Sequence, residues 1–269
     1  MDLHWANISL MMKGRTVLSG VSGRMVAGTT TVILGANGAG KTSLLSCLAG
    51  LRVPDAGVVI CGDRPVATMP AMDRARCIGL LPQQGDIHWD VHVRALVALG
   101  RLPHHGRWAR SAADDAAIDA ALAATSCTDL ADRKAQRLSG GEQARVLLAR
   151  VLAGEPDWIL ADEPLANLDP AHQMDAIACL RRAAARGAGV AMVLHDLTLA
   201  ARIADQVILL KNGAIIAHGP PAMVLTTDNL ATAYGVRVHI SHDDAGAPII
   251  TPIARIGDGS GGTVSGGTV

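Results

Sequence analysis

The chain has 269 residues with an apolar content of 49%, enough to build a substantial core in one large α/β domain. Lysine plus arginine and aspartate plus glutamate each number 24, so the chain lacks the overall positive field that would favour nucleic acid or an anionic membrane surface as a partner. Five widely spaced cysteines without a Cys-x-x-Cys pair indicate reduced cytosolic thiols, and no apolar run approaches the roughly eighteen residues of a membrane-spanning helix.

The predicted elements begin with β-like runs at Leu3–Leu10 and Thr16–Val21, separated by turn residues, which indicate an antiparallel layer. Thr29–Leu34 is a β-branched strand that leads through a glycine-rich loop into a helix predicted over Thr42–Leu51, where leucines recur at helical spacing. Two further short strands are predicted at Val58–Cys61 and Ile78–Leu81.

Residues from about 86 to 154 are predicted to form a mainly helical subdomain inserted between strands. Helices are expected at Val91–Gly100 and Ala112–Ala124, the second with Ser111 as its N-cap and acidic residues in its first turn.

The second half of the chain alternates strand and helix. Trp158–Ala161 and Val190–Leu194 are short, nearly all-apolar runs, as expected of central parallel strands covered on both faces, and the Ala-rich stretch Pro170–Arg186 between them is predicted to be a helix. The sequence therefore predicts an α/β fold with a P-loop core, a mainly parallel sheet, an N-terminal antiparallel β layer and the helical insertion.

The C-terminal part begins with a predicted hairpin. Gln206–Lys211 and Ala214–His218 flank Asn212-Gly213, the preferred dipeptide of a two-residue primed turn. Residues 1–256 are predicted to form a single domain, followed by a flexible Gly/Ser/Thr-rich tail at Gly257–Val269.

The loop after Thr29–Leu34 matches the phosphate-binding pattern G-x-x-x-x-G-K-[ST] between a strand and a helix. Its residues are Gly35, Ala36, Asn37, Gly38, Ala39, Gly40, Lys41 and Thr42. Glycines let the backbone approach phosphate oxygens, Lys41 reaches the β/γ-phosphates of a nucleotide, and the Thr42 hydroxyl can ligate Mg²⁺. The alternative is an ordinary glycine-rich turn before a helix.

The buried strand predicted at Trp158–Ala161 is followed directly by two acids, Asp162 and Glu163. A carboxylate at the carboxyl end of a strand beside the P-loop can hold Mg²⁺, and its neighbour can activate a water aimed at the γ-phosphate. We assign Asp162 to the metal and Glu163 to the general base; a solvated turn is the alternative.

A second anion-binding helix start is predicted from one further motif. Its residues are Leu138, Ser139, Gly140, Gly141, Glu142 and Gln143. Ser139 and Glu142 have capping-box spacing, so Ser139 should be the N-cap of the helix that follows over Gln143–Leu152. Because the chain holds two such helix starts but one lysine-bearing loop, one of them needs a nucleotide supplied by another copy of the chain.

His195 follows a buried strand and can hydrogen-bond a γ-phosphate, although a lone histidine there is more often a satisfied core or edge residue. Gln83, after Ile78–Leu81 and a proline, is uninformative on its own.

Taken together and in this order, these segments resemble the nucleotide-binding subunit of an ABC transporter over nearly the whole chain up to about Gly257. By this resemblance, the glycine-rich loop at residues 35–42, together with Ser43, is the Walker A motif, and residues 138–143 are the signature motif. Gln83 corresponds to the Q-loop glutamine, Asp169 to the D-loop aspartate and His195 to the switch histidine. The resemblance implies MgATP hydrolysis with Glu163, His195 and Gln83 as catalytic residues, and Mg²⁺ held by Thr42, Gln83 and Asp162. It also implies a homodimer in which each ATP lies between the Walker A of one copy and the signature of the other, acting on a separate membrane permease.

Segments outside these motifs are similar to the ATPases of importers for ferric siderophores, haem and vitamin B12. They are Leu80–Gln84, Leu96–His104, His195–Arg202 and Leu230–Val236. This likeness implies a place on the cytoplasmic face of the membrane, peripheral through the permease, with a substrate-binding protein as an indirect partner. An importer of another small solute or metal ion, or a non-transport ABC ATPase, is the alternative.

One position departs from the family. Many cassettes stack adenine on an aromatic residue in the first hairpin, and the position that aligns here is Met12, with Trp5 as a weaker substitute.

Overall fold

The computed structural model describes residues 1–83, 90–104 and 111–256. Outside these ranges lie the predicted tail at Gly257–Val269, the first residues of the predicted insertion, and Gln84. The described strands are β1 (Leu3–Met12), β2 (Arg15–Met25), β3 (Thr30–Gly35), β4 (Ala56–Cys61), β5 (Arg64–Pro65), β6 (Ile78–Leu81), β7 (Trp158–Asp162), β8 (Gly189–Val193), β9 (Gln206–Lys211), β10 (Ala214–Gly219), β11 (Val236–His242) and β12 (Pro248–Arg255). The described α-helices are α1 (Lys41–Leu48), α2 (Ala71–Cys77), α3 (Val93–Ala98), α4 (Ala112–Ala124), α5 (Gly140–Ala153), α6 (Pro170–Ala185), α7 (Leu197–Ile203), α8 (Pro221–Val224) and α9 (Thr227–Tyr234).

A six-stranded sheet in the order β10-β9-β3-β8-β7-β6 forms the centre of the molecule. All neighbouring pairs are parallel except β9 with β10. Every residue of β3, β7 and β8 is buried, because helices cover one face of this sheet and α1 with the antiparallel layer covers the other. The predicted mainly parallel core is therefore confirmed.

The N-terminal layer is a four-stranded antiparallel sheet in the order β2-β1-β4-β5. Inward-facing residues of β1 and β4 share one apolar core with α1 and the near face of the central sheet, including Leu3, Ile8, Leu44 and Trp158. The helix α1 is thus held between two sheets, which fixes the direction in which its first turn points.

The insertion between β6 and β7 has its own apolar core, built by α3, α4 and α5. The helix predicted over Val91–Gly100 is shorter than expected: α3 ends at Ala98, and a 3₁₀ turn continues over Leu99–His104. The cause is a close approach to α5, because a Cβ on Gly100 would lie 2.1 Å from the carbonyl oxygen of Arg150, and Pro103 then prevents a regular helix. The extents predicted for the domain and the insertion stay predictions.

The hairpin of β9 and β10 has the predicted primed turn, with positive φ at both Asn212 and Gly213. The helix α1 ends at Leu48, three residues before the predicted Leu51, because Gly50 takes a left-handed conformation. In the described part of the chain, no helix combines the length and apolar character needed to cross a membrane. All five cysteines are free thiols.

Candidate functional site

The glycine-rich loop runs from the end of β3 into α1. Gly35 has φ of +150° and Gly40 has φ of +101°, and a Cβ would lie 2.4 Å from the carbonyl oxygen of Leu210 at the first and 2.9 Å from that of Val17 at the second. Both positions therefore require glycine. Gly40 is the N-cap of α1 and offers no side-chain cap, so the N–H groups of the first turn face the loop as donors for an anion.

Lys41 lies inside the loop with its side chain largely buried. Its Nζ donates to the carbonyl oxygens of Gly35 at 2.8 Å and Ala36 at 3.1 Å. Burial lowers the pKa of Lys41, while the carboxylates of Glu163 and Asp162 act in the opposite direction. A polyanion in the adjacent cavity of about 630 Å³ would meet a preorganised ammonium group.

Asp162 ends β7 and is 4% exposed. Burial raises the pKa of this carboxyl group, and a hydrogen bond with the Thr42 hydroxyl partly opposes the effect. Its Oδ1 has no hydrogen-bond partner among the described residues, which is costly for a buried polar atom. An unpartnered buried carboxylate oxygen beside a hydroxyl fits the oxygen ligands that Mg²⁺ prefers.

Glu163 joins three separate elements at the edge of the same cavity. Its Oε2 accepts a hydrogen bond from Gln83 Nε2 at 2.9 Å, and its Oε1 lies 2.6 Å from His195 Nε2. The residue has φ of +51°, a left-handed conformation that is uncommon outside glycine and is typical of functional sites. The strand β7 delivers the carboxylate, and the ends of β6 and β8 supply the two groups that orient it.

Ser139 begins α5 with the predicted capping box. Its hydroxyl accepts from the Glu142 N–H at 3.3 Å, and the Glu142 carboxylate accepts from the Ser139 N–H at 2.8 Å. This helix start lines a second cavity of about 420 Å³ together with Gly141 and the predicted D-loop residue Asp169. Asp169 is itself the N-cap of α6 and accepts from the His172 N–H.

The two cavities share no lining residue. The structure therefore brings together the loop at residues 35–43, Gln83, Asp162, Glu163 and His195. Ser139, Gly141 and Asp169 line the separate second cavity, whereas Gly140 and Gln143 line a third cavity together with Gln83 and Glu163. A nucleotide in the first cavity is bounded by one helix start of this chain, not by both.

Met12 lies at the end of β1, and its sulfur is 3.9 Å from the hydroxyl of Ser43. The first hairpin thus reaches the start of α1, as expected for the base-contacting position. Trp5 is 2% exposed inside the core below α1, so it is excluded as a substitute.

Tyr234 belongs to the site's surroundings and was not predicted from motifs. Its hydroxyl accepts a hydrogen bond from the N–H of Gly35 at 2.9 Å, across 199 residues of sequence. The available signal was compositional, since Tyr234 is the only tyrosine in the chain, but nothing in the sequence names its partner.

Comparison with known proteins decides the family. A sequence profile described as ABC transporter matches residues 18–166, which include the phosphate loop, the signature helix and the two acids Asp162 and Glu163. The chain belongs to the ABC transporter family. As a member, this ABC protein is an ATP-binding cassette with ATP hydrolase activity.

The relatives of this ABC cassette include proteins named hemin import ATP-binding protein HmuV. The one from Thermobifida fusca strain YX is 43% identical over 251 residues, covering 92% of this chain and 87% of the relative. The one from Bordetella parapertussis is 40% identical over 253 residues, covering 89% and 94%. The one from Pseudomonas aeruginosa is 40% identical over 250 residues, covering 91% and 97%.

Solved ABC structures share the fold. A putative metal-chelate type ABC transporter in an inward-facing conformation gives a TM-score of 0.79 at 24% identity, covering 94% of this chain and 97% of that chain. The dimeric cassette MJ0796, in a post-hydrolysis state bound to ADP and Pi, gives 0.73 at 26% identity, covering 81% and 98%. The predicted fold class and the predicted family are confirmed.

Proposed function

We propose that this cassette hydrolyses MgATP as one half of a homodimer and powers the import of haem, or a closely similar metal chelate, through a separate membrane permease. The main support for ATP hydrolysis is that the side chains of Gln83, His195 and Glu163 meet beside the phosphate loop. The relatives named for hemin import support the cargo.

Glu163 is the general base of the proposed reaction. Water attacks the γ-phosphorus in line, the new P–O bond forms as the bond to the β,γ-bridging oxygen breaks, and ADP leaves with that electron pair. The carboxylate of Glu163 takes the proton of the attacking water. Gln83 and His195 keep the carboxylate in place, and His195 is in reach of the γ-phosphate side of the cavity.

Lys41 and the N–H groups at the start of α1 bind the β- and γ-phosphates. Since these donors are held by the loop before ATP arrives, they stabilise the charge of the transition state without reorganising. Mg²⁺ supplies neutralisation of charge on the β- and γ-oxygens when bound. The residues that would hold it are Asp162, Thr42 and Gln83.

The homodimer follows from the separation of the two cavities. Ser139 and Gly141, at the start of α5, line a cavity distinct from that of Lys41. In a two-fold dimer each such helix start can close over the phosphate loop of the other copy. The cassette MJ0796, a neighbour in fold, is dimeric.

A permease is proposed as the second partner and a substrate-binding protein as an indirect one. The named hemin importers support an assembly on the cytoplasmic face of the inner or plasma membrane, where the insertion near Gln83 contacts the permease. Nucleic acid is not proposed as a partner, because the chain has no excess of positive charge.

The variant Glu163→Gln tests the chemistry. The amide keeps the volume of the side chain and can still accept the hydrogen bond from Gln83, but it cannot take up a proton, so phosphate release should fall at least about 100-fold while ATP binding is retained. Size-exclusion chromatography with MgATP should show a stable dimer of the variant. Turnover at the wild-type rate would exclude Glu163 as the base.

The cargo is tested by reconstituting this chain in liposomes with candidate permeases and substrate-binding proteins from the same organism. Uptake of haem, a ferric siderophore and vitamin B12 is compared with MgATP inside the vesicles. We expect ATP-dependent uptake of haem. Uptake of another chelate without uptake of haem would identify that chelate as the cargo. Co-purification of the chain with ribosomes or DNA would contradict the transport function.

A further inference from the structure

Tyr234 is the last residue of α9 and lies largely buried against the core of the central sheet. Its hydroxyl oxygen is 2.9 Å from the N–H of Gly35 and accepts a hydrogen bond from it. Burial raises the pKa of Tyr234 to about 12, so the phenol keeps its proton at neutral pH. The bond links α9 to the first residue of the phosphate loop.

Gly35 connects this link to the nucleotide cavity. Its N–H is held by Tyr234, and its carbonyl oxygen accepts from Lys41 Nζ at 2.8 Å. A Cβ built on Gly35 would lie 2.4 Å from the carbonyl oxygen of Leu210 in β9, so the loop has little free space on that side. Tyr234, Gly35 and Lys41 thus form one continuous path of hydrogen bonds, and the ammonium group at its end faces the phosphates.

The same C-terminal segment also holds the helix that follows His195. The Thr198 hydroxyl of α7 accepts from the N–H of Ile250 at 2.9 Å and lies 3.3 Å from its carbonyl oxygen, where it can donate. Arg202 of α7 donates to Asp243 at 2.7 Å. The phosphate loop and the helix that follows His195 are therefore both fastened to one segment, residues 227–255.

We propose that the hydroxyl of Tyr234 is a positioning group for ATP binding: it fixes Gly35 so that the carbonyl of Gly35 holds Lys41 in place for the phosphates, and it thereby couples the C-terminal segment to the nucleotide site. Tyr234 acts through the loop and touches no reacting atom. The proposal rests on the proposed function in one respect, that ATP binds in this cavity.

The first test is Tyr234→Phe, which removes one oxygen atom and leaves the N–H of Gly35 without its partner. Loss of a single buried hydrogen bond of this kind weakens the preformed loop, so the Kd and KM for MgATP should rise about 3- to 10-fold, whereas kcat at saturation should change less than about 2-fold because the groups around Glu163 are untouched.

Leu230→Val is the matched control on the same helix. Leu230 is fully buried in α9, so its truncation lowers the thermal midpoint without altering the hydroxyl, and the Kd for MgATP should stay at the wild-type value. An equal loss of affinity in both variants would overturn the proposal, as would an unchanged Kd in Tyr234→Phe. A wild-type chain that binds no ATP would overturn the proposed function instead.

The second test needs no substitution and decides the matter even where Tyr234→Phe folds poorly. Because the chain has a single tyrosine, growth with 3-fluorotyrosine places one fluorine label at Tyr234 and gives one ¹⁹F NMR resonance for this site. We expect MgATP and inorganic triphosphate to shift this resonance, and adenosine, which lacks phosphates, to leave it in place. A resonance that stays unmoved at saturating MgATP would contradict the coupling.

Discussion

At the residue scale, the candidate site depends on a few side chains held in conformations that the fold must enforce. Glu163 takes a left-handed backbone conformation, which costs a non-glycine residue of order 1–3 kcal/mol. Its carboxylate is secured from two directions by Gln83 and His195. The strain aims a potential base at the phosphate cavity, and the two polar neighbours prevent it from turning away.

Asp162 shows the same conflict between stability and function. Its carboxylate is buried, and one oxygen has no hydrogen-bond partner in the part of the chain that the structure describes, so the charged form opposes folding. We predict that Asp162→Asn raises the thermal midpoint of the nucleotide-free chain at pH 7 while it lowers Mg²⁺-dependent phosphate release at least about 100-fold.

The pH dependence of this effect has a defined sign. Because burial raises the pKa of Asp162 in the folded state, its destabilising charge is present above that pKa and disappears as the pH falls and the group protonates. The difference in thermal midpoint between Asp162→Asn and the wild type should therefore shrink on acidification, measured by calorimetry between pH 7 and pH 4 (about the ordinary pKa of aspartate). A difference that grows at low pH would contradict the assignment.

Met12 offers a gain-of-affinity test. Its side chain reaches Ser43 at the start of α1 but provides no aromatic face for adenine. Met12→Trp should tighten ATP binding about 2- to 10-fold, from a stacking contribution of about 0.5–1.5 kcal/mol, and should leave the affinity for inorganic triphosphate unchanged. Titration calorimetry measures both.

Met11→Trp is the control, since Met11 is adjacent in β1 and 58% exposed on the opposite side of the strand. If both variants gain the same affinity for ATP, Met12 is not the base-contacting position.

At the element scale, periodicity and turn chemistry predicted the parts of the fold that depend on local sequence. The all-apolar runs of β7 and β8 identified central strands because burial on both faces leaves no polar position. The loop before α1 and the capping box of α5 were visible because their function requires particular residues at fixed spacing. These local rules also located most of the candidate site.

Elements whose form depends on distant contacts were not predicted. The helix α3 ends early because Gly100 meets the backbone of α5, and β11 with β12 forms a hairpin that packs on α7. The bond from Tyr234 to Gly35 spans 199 residues. No window of sequence contains both partners of such a contact, so propensity and spacing alone could not reveal it.

The insertion contains a polar link whose contribution can be measured. Asp114 accepts from the Ser111 N–H and hydroxyl at the start of α4, and from Arg101 Nε at 2.9 Å in the preceding 3₁₀ turn. The hydrogen bond from the Ser111 backbone, followed by the bond from Arg101, holds the pKa of Asp114 well below its usual range. The charged carboxylate is therefore the form that stabilises this part of the insertion.

We predict that Asp114→Asn lowers the thermal midpoint at pH 7, whereas Asp129→Asn, at an exposed position of the same insertion, leaves it within about a degree. Because the folded-state pKa is depressed, the stabilisation is complete above the ordinary aspartate pKa and is lost as the pH falls through the depressed value. Thermal scans over this acidic range should show the gap between Asp114→Asn and the wild type closing, while Asp129→Asn stays close to the wild type throughout. A gap independent of pH would indicate a purely steric effect.

At the scale of the whole molecule, the residues of the proposed shared ATP site lie at two separate places in one chain. The phosphate loop, Glu163 and His195 surround one cavity, and Ser139 with Asp169 lines another. The central sheet fixes the first, whereas the second lies between the start of α5 in the insertion and the start of α6, where Asp169 is the N-cap. In the proposed dimer, closure on ATP and opening after hydrolysis would move the insertions of the two copies and so act on the permease.

The central claim is that one ATP is held by two copies of the chain, and complementation between two inactive variants tests it most directly. Lys41→Ala destroys the phosphate loop and Ser139→Arg blocks the signature, so each homodimer should be inactive. In an equal mixture, half of the dimers pair an intact loop with an intact signature at one of two sites, which predicts phosphate release of up to about a quarter of the wild-type rate. A mixture as inactive as its components, or an active Ser139→Arg protein, would contradict the account.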